Sequence, residues 1–276
     1  TEEDGKYTPV YSEKGLKGVE FEVTAAEDIY TADGTLRISK GASADTLVTD
    51  ESGEAESKEL YPGKYLLREI SAPEGYILSA EPREITVVSG VTSAEIYNER
   101  KKQDFKLKKE LETDQKFGIG FNGEIFNIRF GLFSKTELTA LDGSIIPADG
   151  LIEVATPDED GFLSFAADMP YNAECYIKEL ETDGHYILSD EQYLSGDTVI
   201  NKIIRGSIEG LKTDPNGRVL KGAVIGLFYP FETEFSADTA IETFETDEAG
   251  RFSFENVPYG EWIIRELKAP DGYILS

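Results

Sequence analysis

The sequence predicts an all-β protein made of tandem antiparallel β-sandwiches, and three observations support this fold class. Short runs of alternating apolar residues, such as 163–165 and 251–254, are closed by turns rich in Gly, Pro, Asp and Asn. No segment shows the apolar periodicity of a long amphipathic helix. One series of motifs also recurs three times along the 276 residues, which indicates repeated domains.

The repeated unit is recognised by a glutamate that stands seven residues before a tyrosine. This motif occupies residues 69–76, 179–186 and 266–273, at steps of 110 and 87 residues, which is the length of a domain and too long for a solenoid unit. Upstream of each glutamate come an apolar strand, an acidic turn ending in glycine and a turn containing proline. We therefore divide the chain into a first copy (residues 1–101), a middle copy (102–204) and a third copy (205–276) of one Ig-like antiparallel β-sandwich.

These motifs place the strands of each copy in order. The apolar strand contains Phe21, Phe130 or Ile225, and the glutamate-bearing strand follows the proline turn directly. The first copy opens with a polar lead, residues 1–5, that shows no strand pattern. After the glutamate, further strands are expected at residues 85–88 and 95–98 in the first copy and at 198–201 in the middle copy. The third copy ends before this point, so only the middle copy is expected to be complete.

Composition excludes several classes of function. With 27 Lys+Arg against 54 Asp+Glu, the formal net charge is −27, which argues against nucleic acid or an anionic membrane as a partner. No run approaches the length of a membrane helix, and the first 20 residues lack a signal-peptide layout. A single cysteine and a single histidine nearly exclude a zinc site, a disulfide framework and a Ser-His-Asp or Cys-His triad, so no metal or cofactor is expected.

In each glutamate-bearing strand, alternation places the glutamate on the apolar face. A carboxylate in a core is costly unless it is paired or protonated, so three such positions suggest a use. The residues that share a face are Tyr65, Leu67 and Glu69 in the first copy, Cys175, Ile177 and Glu179 in the middle copy, and Trp262, Ile264 and Glu266 in the third.

Complementary polar residues are expected on neighbouring strands. In the middle copy Phe105 and Leu107 share a face with Lys109, and in the third copy Ile208 and Gly210 share one with Lys212. The last strands of the first and middle copies place an asparagine on the apolar side. These asparagines are Asn98 and Asn201.

A lysine on the first strand, a glutamate in the middle and an asparagine on the last strand resemble a known family. Together with Lys212-Thr-Asp214, Gly222-Ala, residues 246–250, Pro258-Tyr-Gly260 and residues 265–273, they are similar to the collagen-adhesin (Cna) B-type repeats of Gram-positive surface proteins, also called SpaA-like or prealbumin-like domains. The resemblance covers nearly the whole chain.

The resemblance implies a chemistry and a role. In this family a core lysine and asparagine join autocatalytically in an intramolecular isopeptide bond, helped by the glutamate, whose protonated form would donate to the amide oxygen. It implies a Lys109–Asn201 bond aided by Glu179, with Glu69, Asn98, Lys212 and Glu266 as the matching residues of the other copies. The chain is then a structural stalk or adhesin segment of an extracellular, cell wall-attached protein and not an enzyme, with the neighbouring domains of the same chain as partners.

Other interpretations of these residues remain open. The middle-copy residues also fit an ordinary buried salt bridge capped by an amide, and Lys212 with Glu266 is expected to be an unreacted pair. Lys6, the nearest candidate in the first copy, is expected to be a solvated lead residue, with the family's first strand upstream of residue 1. The acidic turns 158–161 and 214–217 fit plain β-turns better than calcium loops.

Three further alternatives concern single residues and function. Cys175 fits a small buried residue and His185 an exposed turn residue. The alternative function is an adhesin domain that binds a host or extracellular-matrix protein, through the middle-copy insertion 118–123 or the loop 137–150. A carbohydrate-active enzyme or a peptidase would need polar residues converging in a cleft, and the loops show no such pattern.

Overall fold

The computed structural model describes residues 2–3, 5–79, 81–139 and 144–275. Twenty-two strands and one 3₁₀ helix, Glu124–Asn127, make up its regular structure. The predicted all-β class is confirmed. The chain forms two compact units: one holds Thr1–Gln103, Ser134–Gly150 and Ala167–Glu174, and the other holds Asp104–Phe133, Leu151–Ala166 and Cys175–Ser276.

The first copy forms one four-stranded antiparallel sheet, in the order β6-β3-β7-β8. Alternation along its central strands buries a core of Val23, Ala25, Ile29, Ala44 and Tyr65. The lead residues form a two-residue strand pair, too short to leave a sequence pattern, and Lys6 in it is exposed as expected. The strands are β1 (Glu2–Glu3), β2 (Lys6–Tyr7), β3 (Glu20–Ala25), β4 (Ile29–Tyr30), β5 (Leu36–Ile38), β6 (Ser43–Val48), β7 (Gly63–Ser71) and β8 (Arg83–Val87).

The strands of the middle copy form two sheets, in the orders β13-β10-β15-β16 and β14-β9-β17. The last strand, β17, pairs with β9 in parallel and aligns Val199 with Lys109, which is an exception to the antiparallel pairing that the sequence predicts. The strands are β9 (Phe105–Leu111), β10 (Arg129–Ser134), β11 (Leu138–Thr139), β12 (Ile145–Ile146), β13 (Leu151–Ala155), β14 (Phe162–Phe165), β15 (Cys175–Glu181), β16 (Gln192–Tyr193) and β17 (Thr198–Asn201).

The third copy pairs β18 with β21 and forms a second sheet in the order β20-β19-β22. Ile264, predicted on the buried face, is 39% exposed, because β22 is the edge of its sheet and no described residue adds a strand beside it. Trp262 precedes β22 and packs against the core instead. The strands are β18 (Arg205–Leu211), β19 (Val224–Phe228), β20 (Glu242–Glu245), β21 (Arg251–Pro258) and β22 (Ile263–Lys268).

The predicted last strand of the first copy is not formed. Residues 95–98 make no ladder among the described residues, although β8 occupies the other position predicted. A strand needs a hydrogen-bonding neighbour, and the described residues place none beside this segment. Only Arg100, just beyond it, forms an isolated bridge with Tyr76.

The middle and third copies share one hydrophobic core inside the second unit. Phe117, just before the insertion 118–123, and Ile119 within it pack in the same cluster as Ile225 and Leu227 of β19. Phe117 also meets Trp262 edge-on, with the ring centroids 5.1 Å apart. This segment therefore forms a joint between the middle and third copies and is not wholly an exposed loop.

A network of ion pairs also connects the middle and third copies. Arg205, at the start of β18, donates to Asp114 at 2.6 Å and to Glu112 at 3.1 Å. These hydrogen bonds hold the pKa of the Glu112 carboxyl below its ordinary value. The arginine thereby links the third copy to the segment that follows β9.

In the first unit, a cluster around Arg100 joins the end of the first copy to a loop of the middle copy. The guanidinium lies 3.3 Å from the centroid of the Tyr11 ring and donates to Asp168 at 2.7 Å. The Tyr11 hydroxyl donates to the Asp168 carbonyl at 2.6 Å. Cation–π and ionic contacts thus combine at this position.

Candidate functional site

The site in the middle copy begins with the strand β9. Alternation buries Phe105 and Leu107 together with Lys109, while Lys106 is exposed. The Lys109 backbone nitrogen donates to the Gly161 carbonyl at 2.7 Å. A Cβ at Gly161 would stand 2.1 Å from the Lys109 carbonyl oxygen, and its φ is +83°. This explains why the acidic turn ends in glycine: it lies directly against the lysine's backbone.

The Lys109 amine lies inside the sandwich. Its Nζ is 3.6 Å from Oε1 of Glu179, and both side chains are 0% exposed. Nζ also lies 3.5 Å from the Val199 carbonyl on the parallel strand β17. Glu179 reaches this point because the alternation of β15 turns it inward beside Ile177.

Asn201 completes the group from the last strand. Its Nδ2 donates to Glu179 Oε1 at 2.8 Å and to Oε2 at 3.0 Å, and lies 2.9 Å from Oγ1 of Thr182. The Ser189 backbone nitrogen donates to Oε2 at 2.8 Å. The glutamate therefore lies between the amine and the carboxamide, and contacts both.

This orientation differs from the one expected. A protonated glutamate was expected to donate to the amide oxygen, but the carboxamide presents its nitrogen and Glu179 accepts. Carboxylate oxygens accept hydrogen bonds, so the amide NH₂ is a natural partner for them. Glu179 is thus placed to carry a proton from the Lys109 amine to the amide nitrogen.

Burial changes the state of the lysine. Desolvation lowers the pKa of the Lys109 amine from 10.5 to about 8, although the nearby Glu179 carboxylate opposes this shift. The neutral amine is the nucleophilic form, and its population near neutral pH is raised by this environment. An amine and a carboxamide that both contact one carboxylate are the components of an amide-forming reaction.

This pKa predicts a pH dependence for the unreacted chain. In an Asn201→Ala variant the amine stays free, and between pH 8 and 10.5 the unfolded state holds a proton that the folded state lacks. Stability should therefore rise with pH across this window. Urea midpoints at pH 7.5 and 10 test this, with an Asn201→Ala/Lys109→Met variant as the control that should lose the rise. An equal rise of the urea midpoint with pH in the two variants would contradict a depressed Lys109 pKa.

The first copy reproduces part of the site. Asn98 donates to Glu69 Oε1 at 2.6 Å, and the Ser79 backbone nitrogen donates to Oε2 at 3.2 Å. No lysine or arginine nitrogen of the described residues lies within 4.0 Å of Glu69. The structure thus brings together the glutamate and the asparagine but no lysine.

The third copy reproduces the other part. Lys212 Nζ donates to Glu266 Oε2 at 3.0 Å, and the lysine's backbone nitrogen donates to Gly250 at 2.8 Å. This copies the arrangement of Lys109 with Gly161. In the structure Lys212 and Glu266 therefore form an ion pair.

The remaining candidates have plain structural roles. Asp158 and Asp214 each accept backbone N–H groups two and four residues ahead, which closes their turns. Cys175 is buried, and desolvation raises the pKa of its thiol to about 11. His185 is partly exposed, with Nδ1 2.6 Å from Asp183. Of the loop 137–150, residues 140–143 lie outside the described part.

Two contributors to the site were not predicted. Thr182 accepts a hydrogen bond from the Asn201 amide, and the Ser189 backbone nitrogen donates one to the Glu179 carboxylate. A signal for the serine existed, because Ser79 and Ser189 both stand ten residues after the glutamate and make the same bond. Thr182 has no equivalent in the other copies, so the repeats gave no signal for it.

Fold and site together define a class of tandem structural β-sandwich domains. The SpaA family of prealbumin-like fold domains matches residues 6–100 and 206–276, which is more than half of the chain. The chain therefore belongs to this family, and the resemblance inferred from the sequence is confirmed. Domains of this kind are structural and not enzymatic.

Several solved structures are similar. The TIE protein of Bacillus anthracis matches at 23% identity and a TM-score of 0.64, over 95% of this chain and 44% of its own. BcpA, the major pilin subunit of Bacillus cereus, matches at 19% identity and a TM-score of 0.36, over 94% of this chain and 85% of its own. The chain thus spans less than half of the TIE protein. No curated protein matches the sequence.

The described residues contain no helix that is long and apolar enough to cross a bilayer.

Proposed function

We propose that this chain is a load-bearing stalk segment of a Gram-positive cell-surface protein, in which the middle copy is locked by an amide bond between Lys109 and Asn201. The observation that carries the proposal is the convergence of Lys109, Glu179 and Asn201, all buried, in one contact group. The family membership and the three-copy organisation support the stalk role. An extracellular, cell wall-attached location is part of the same proposal.

The proposed reaction balances without a cofactor. The neutral Lys109 nitrogen attacks Cγ of Asn201, a C–N bond forms, and the bond from Cγ to Nδ2 breaks. A proton from the amine passes through Glu179, which contacts both nitrogens, and ammonia leaves. Folding holds the amine and the carboxamide against the same carboxylate, which replaces an encounter in solution by a unimolecular step.

The bond would join the first strand of the sandwich to the last. Because β9 and β17 are parallel neighbours, a force pulling on both ends of the chain would otherwise act on their ladder hydrogen bonds. With the amide in place, the load runs through residues 109 and 201 as covalent bonds. The 92 residues between them would then carry no tension.

Intact mass tests the proposal directly. We expect the purified chain to weigh less than its sequence by one ammonia, and a tryptic digest to contain one branched peptide that joins Lys109 to Asn201. The Lys109→Met variant, whose side chain has no amine, should have its full sequence mass. A wild-type chain at full sequence mass would contradict the proposal and leave an ordinary buried salt bridge.

A second candidate function is an adhesin role for the middle copy. Phe121 and Phe126, in and just after the insertion, are 61% and 56% exposed, and exposed aromatics of this kind occur at protein-binding surfaces. A host or extracellular-matrix protein would be the partner. Loss of binding to such a protein in a Phe121→Ala/Phe126→Ala variant of unchanged stability would support this role.

A further inference from the structure

Two asparagines of the chain are followed by glycine: Asn122-Gly123 in the insertion of the middle copy, and Asn216-Gly217 in an acidic turn of the third copy. An asparagine in this position can react with its own backbone. The nitrogen of the next residue attacks Cγ, and a glycine there has no side chain to hinder the approach. Both glycines have the same backbone conformation, with φ of +82° and +83°. Neither the sequence nor this angle therefore distinguishes the two sites.

The hydrogen bonds of the two glycine nitrogens do distinguish them. The Gly217 N–H donates to the Asp214 carbonyl at 3.0 Å, and the Asn216 N–H donates to Asp214 Oδ1 at 2.9 Å. The attacking nitrogen of this site is thus held in a closed β-turn. Among the described residues, by contrast, the Gly123 N–H has no hydrogen-bond acceptor. Its nitrogen therefore breaks no hydrogen bond within the described chain when it attacks.

The Asn122 carboxamide is held through its nitrogen. Nδ2 donates to the Gly118 carbonyl at 2.7 Å and lies 3.5 Å from Oε1 of Glu124. Glu124 is 7% exposed, and it also accepts from the backbone nitrogens of Gly120 at 2.9 Å and Asn122 at 2.7 Å. These contacts engage the nitrogen that has to leave and not the carbon that is attacked. Asn122 itself is exposed, so water reaches it.

The buried glutamate supplies a proton carrier. Burial by itself raises the pKa of the Glu124 carboxyl, but hydrogen bonds from backbone N–H groups outweigh this and hold that pKa below its ordinary value. The carboxylate is therefore ionised near neutral pH, and it lies beside the nitrogen that leaves. In the other two copies of this arrangement, Glu69 and Glu179 contact the side-chain nitrogens of Asn98 and Asn201.

We propose that Asn122 is a site of spontaneous modification, at which the Gly123 nitrogen closes a succinimide ring and water opens it to aspartate or isoaspartate. In the first step the Gly123 nitrogen bonds to Cγ of Asn122, and the bond from Cγ to Nδ2 breaks. The N–H proton passes through Glu124 or water to the nitrogen that leaves as ammonia. In the second step one water molecule adds across either carbonyl group of the ring. Asn216 is protected by its turn and stays an asparagine.

The product changes the loop that supports the joint between the middle and third copies. A carboxylate at position 122 cannot donate to the Gly118 carbonyl, and it places a second negative charge beside Glu124. Ile119, the residue after Gly118, packs in the core that both copies share. Loss of the contacts that hold the loop should therefore loosen this core, so that the joint weakens as the chain ages.

Peptide mapping of the full chain tests the site, after incubation at mildly alkaline pH in native and in denaturing solution. The tryptic peptides 117–129 and 213–218 report the two asparagines separately. In the denatured chain both should exchange one ammonia for one water at similar rates, because neither site keeps its hydrogen bonds. In the native chain the exchange at Asn122 should be about five times faster than at Asn216 or more, since one hydrogen bond corresponds to a factor of this size.

Isoaspartate in peptide 117–129 of the native chain identifies the succinimide route. The Asn122→Gln variant keeps a carboxamide but does not readily close the ring, so this peptide should stay unchanged in it. A native rate at Asn122 equal to or below the rate at Asn216 would overturn the proposal, as would an Asn122 that reacts only in the denatured chain. These measurements do not depend on the Lys109–Asn201 bond, because that bond changes the mass of other peptides.

The effect on the joint is measured with Asn122→Asp, which carries the charge of the product. Trp262 fluorescence should report a lower unfolding midpoint in this variant than in the wild type. Asn216→Asp is the matched control, because it places the same charge in an exposed turn, and its midpoint should be that of the wild type. An unchanged midpoint in Asn122→Asp would refute the loosening of the joint.

Discussion

Replacing Glu179 with alanine is expected to leave Lys109 and Asn201 unjoined, and so to remove the constraint that closes the middle copy. The variant keeps both reacting residues but lacks the group that contacts both nitrogens. Its mass should equal the full sequence. Because the amide closes a loop of 92 residues, its absence should lower the free energy of unfolding by about 4–5 kcal/mol in the chain-entropy model. In the variant the free Lys109 amine is also left buried without its carboxylate partner, which adds to this loss.

The Glu179→Ala substitution should also change how the middle copy responds to a stretching force. Under force, the wild-type middle copy has no length to release between residues 109 and 201, since the bond spans them. The unjoined variant can extend by these 92 residues, a gain of about 300 Å. Single-molecule stretching would show one additional unfolding step of this size in Glu179→Ala and none in the wild type.

Glu181→Ala is the matched control. This glutamate lies on the same strand, two residues further on, and its side chain is 62% exposed in an ion pair with Arg129. Exposed pairs of this kind contribute little, so the mass, the unfolding free energy and the stretching trace should match the wild type. An equal effect of both substitutions would show that the strand, and not the buried carboxylate, is responsible.

Much of the site follows from the sequence because strand alternation is a strict rule. Once the glutamate-bearing strand is located, its period of two places Glu179 inward, and the same rule places Lys109 and Asn201. All three are buried in the structure. Repetition provided the strand boundaries, since three copies of a motif make each turn recognisable.

What alternation does not provide is the identity of neighbouring strands. The parallel pairing of β9 with β17 depends on the connection across the sandwich, which no local pattern encodes. The same limit explains the prediction for residues 95–98: they have a strand's pattern but no partner among the described residues. Ile264 was placed inward by alternation alone, and its exposure reflects the lack of a covering neighbour.

Among the described residues, the three copies contain different parts of the same group of side chains. The middle copy contains the amine, the carboxylate and the carboxamide, the first has the carboxylate and carboxamide, and the third has the amine and carboxylate. The glutamate is the common element, because a buried carboxylate can pair with either an amine or an amide. It therefore keeps its place in the core whether or not a bond can form.

The second large loss of stability is expected for a substitution at the joint between the middle and third copies. Phe117 belongs to the middle copy, is 5% exposed, and packs edge-on against Trp262 of the third copy. Truncating it to alanine should cost about 3–5 kcal/mol, because it leaves a cavity in a core that both copies share. For a domain the size of the third copy, this corresponds to a fall in Tm of about 10 °C or more.

Trp262 makes this prediction easy to measure, because it is the only tryptophan of the chain and lies at the joint itself. Its fluorescence should shift to longer wavelength in Phe117→Ala and report a lower unfolding midpoint. The intramolecular mass loss should persist, since Lys109 lies outside this cluster. Phe121→Ala, four residues further on but 61% exposed, should leave both the emission and the midpoint unchanged. If both variants gave the wild-type midpoint, the two copies would be stable independently of the contact that Phe117 makes.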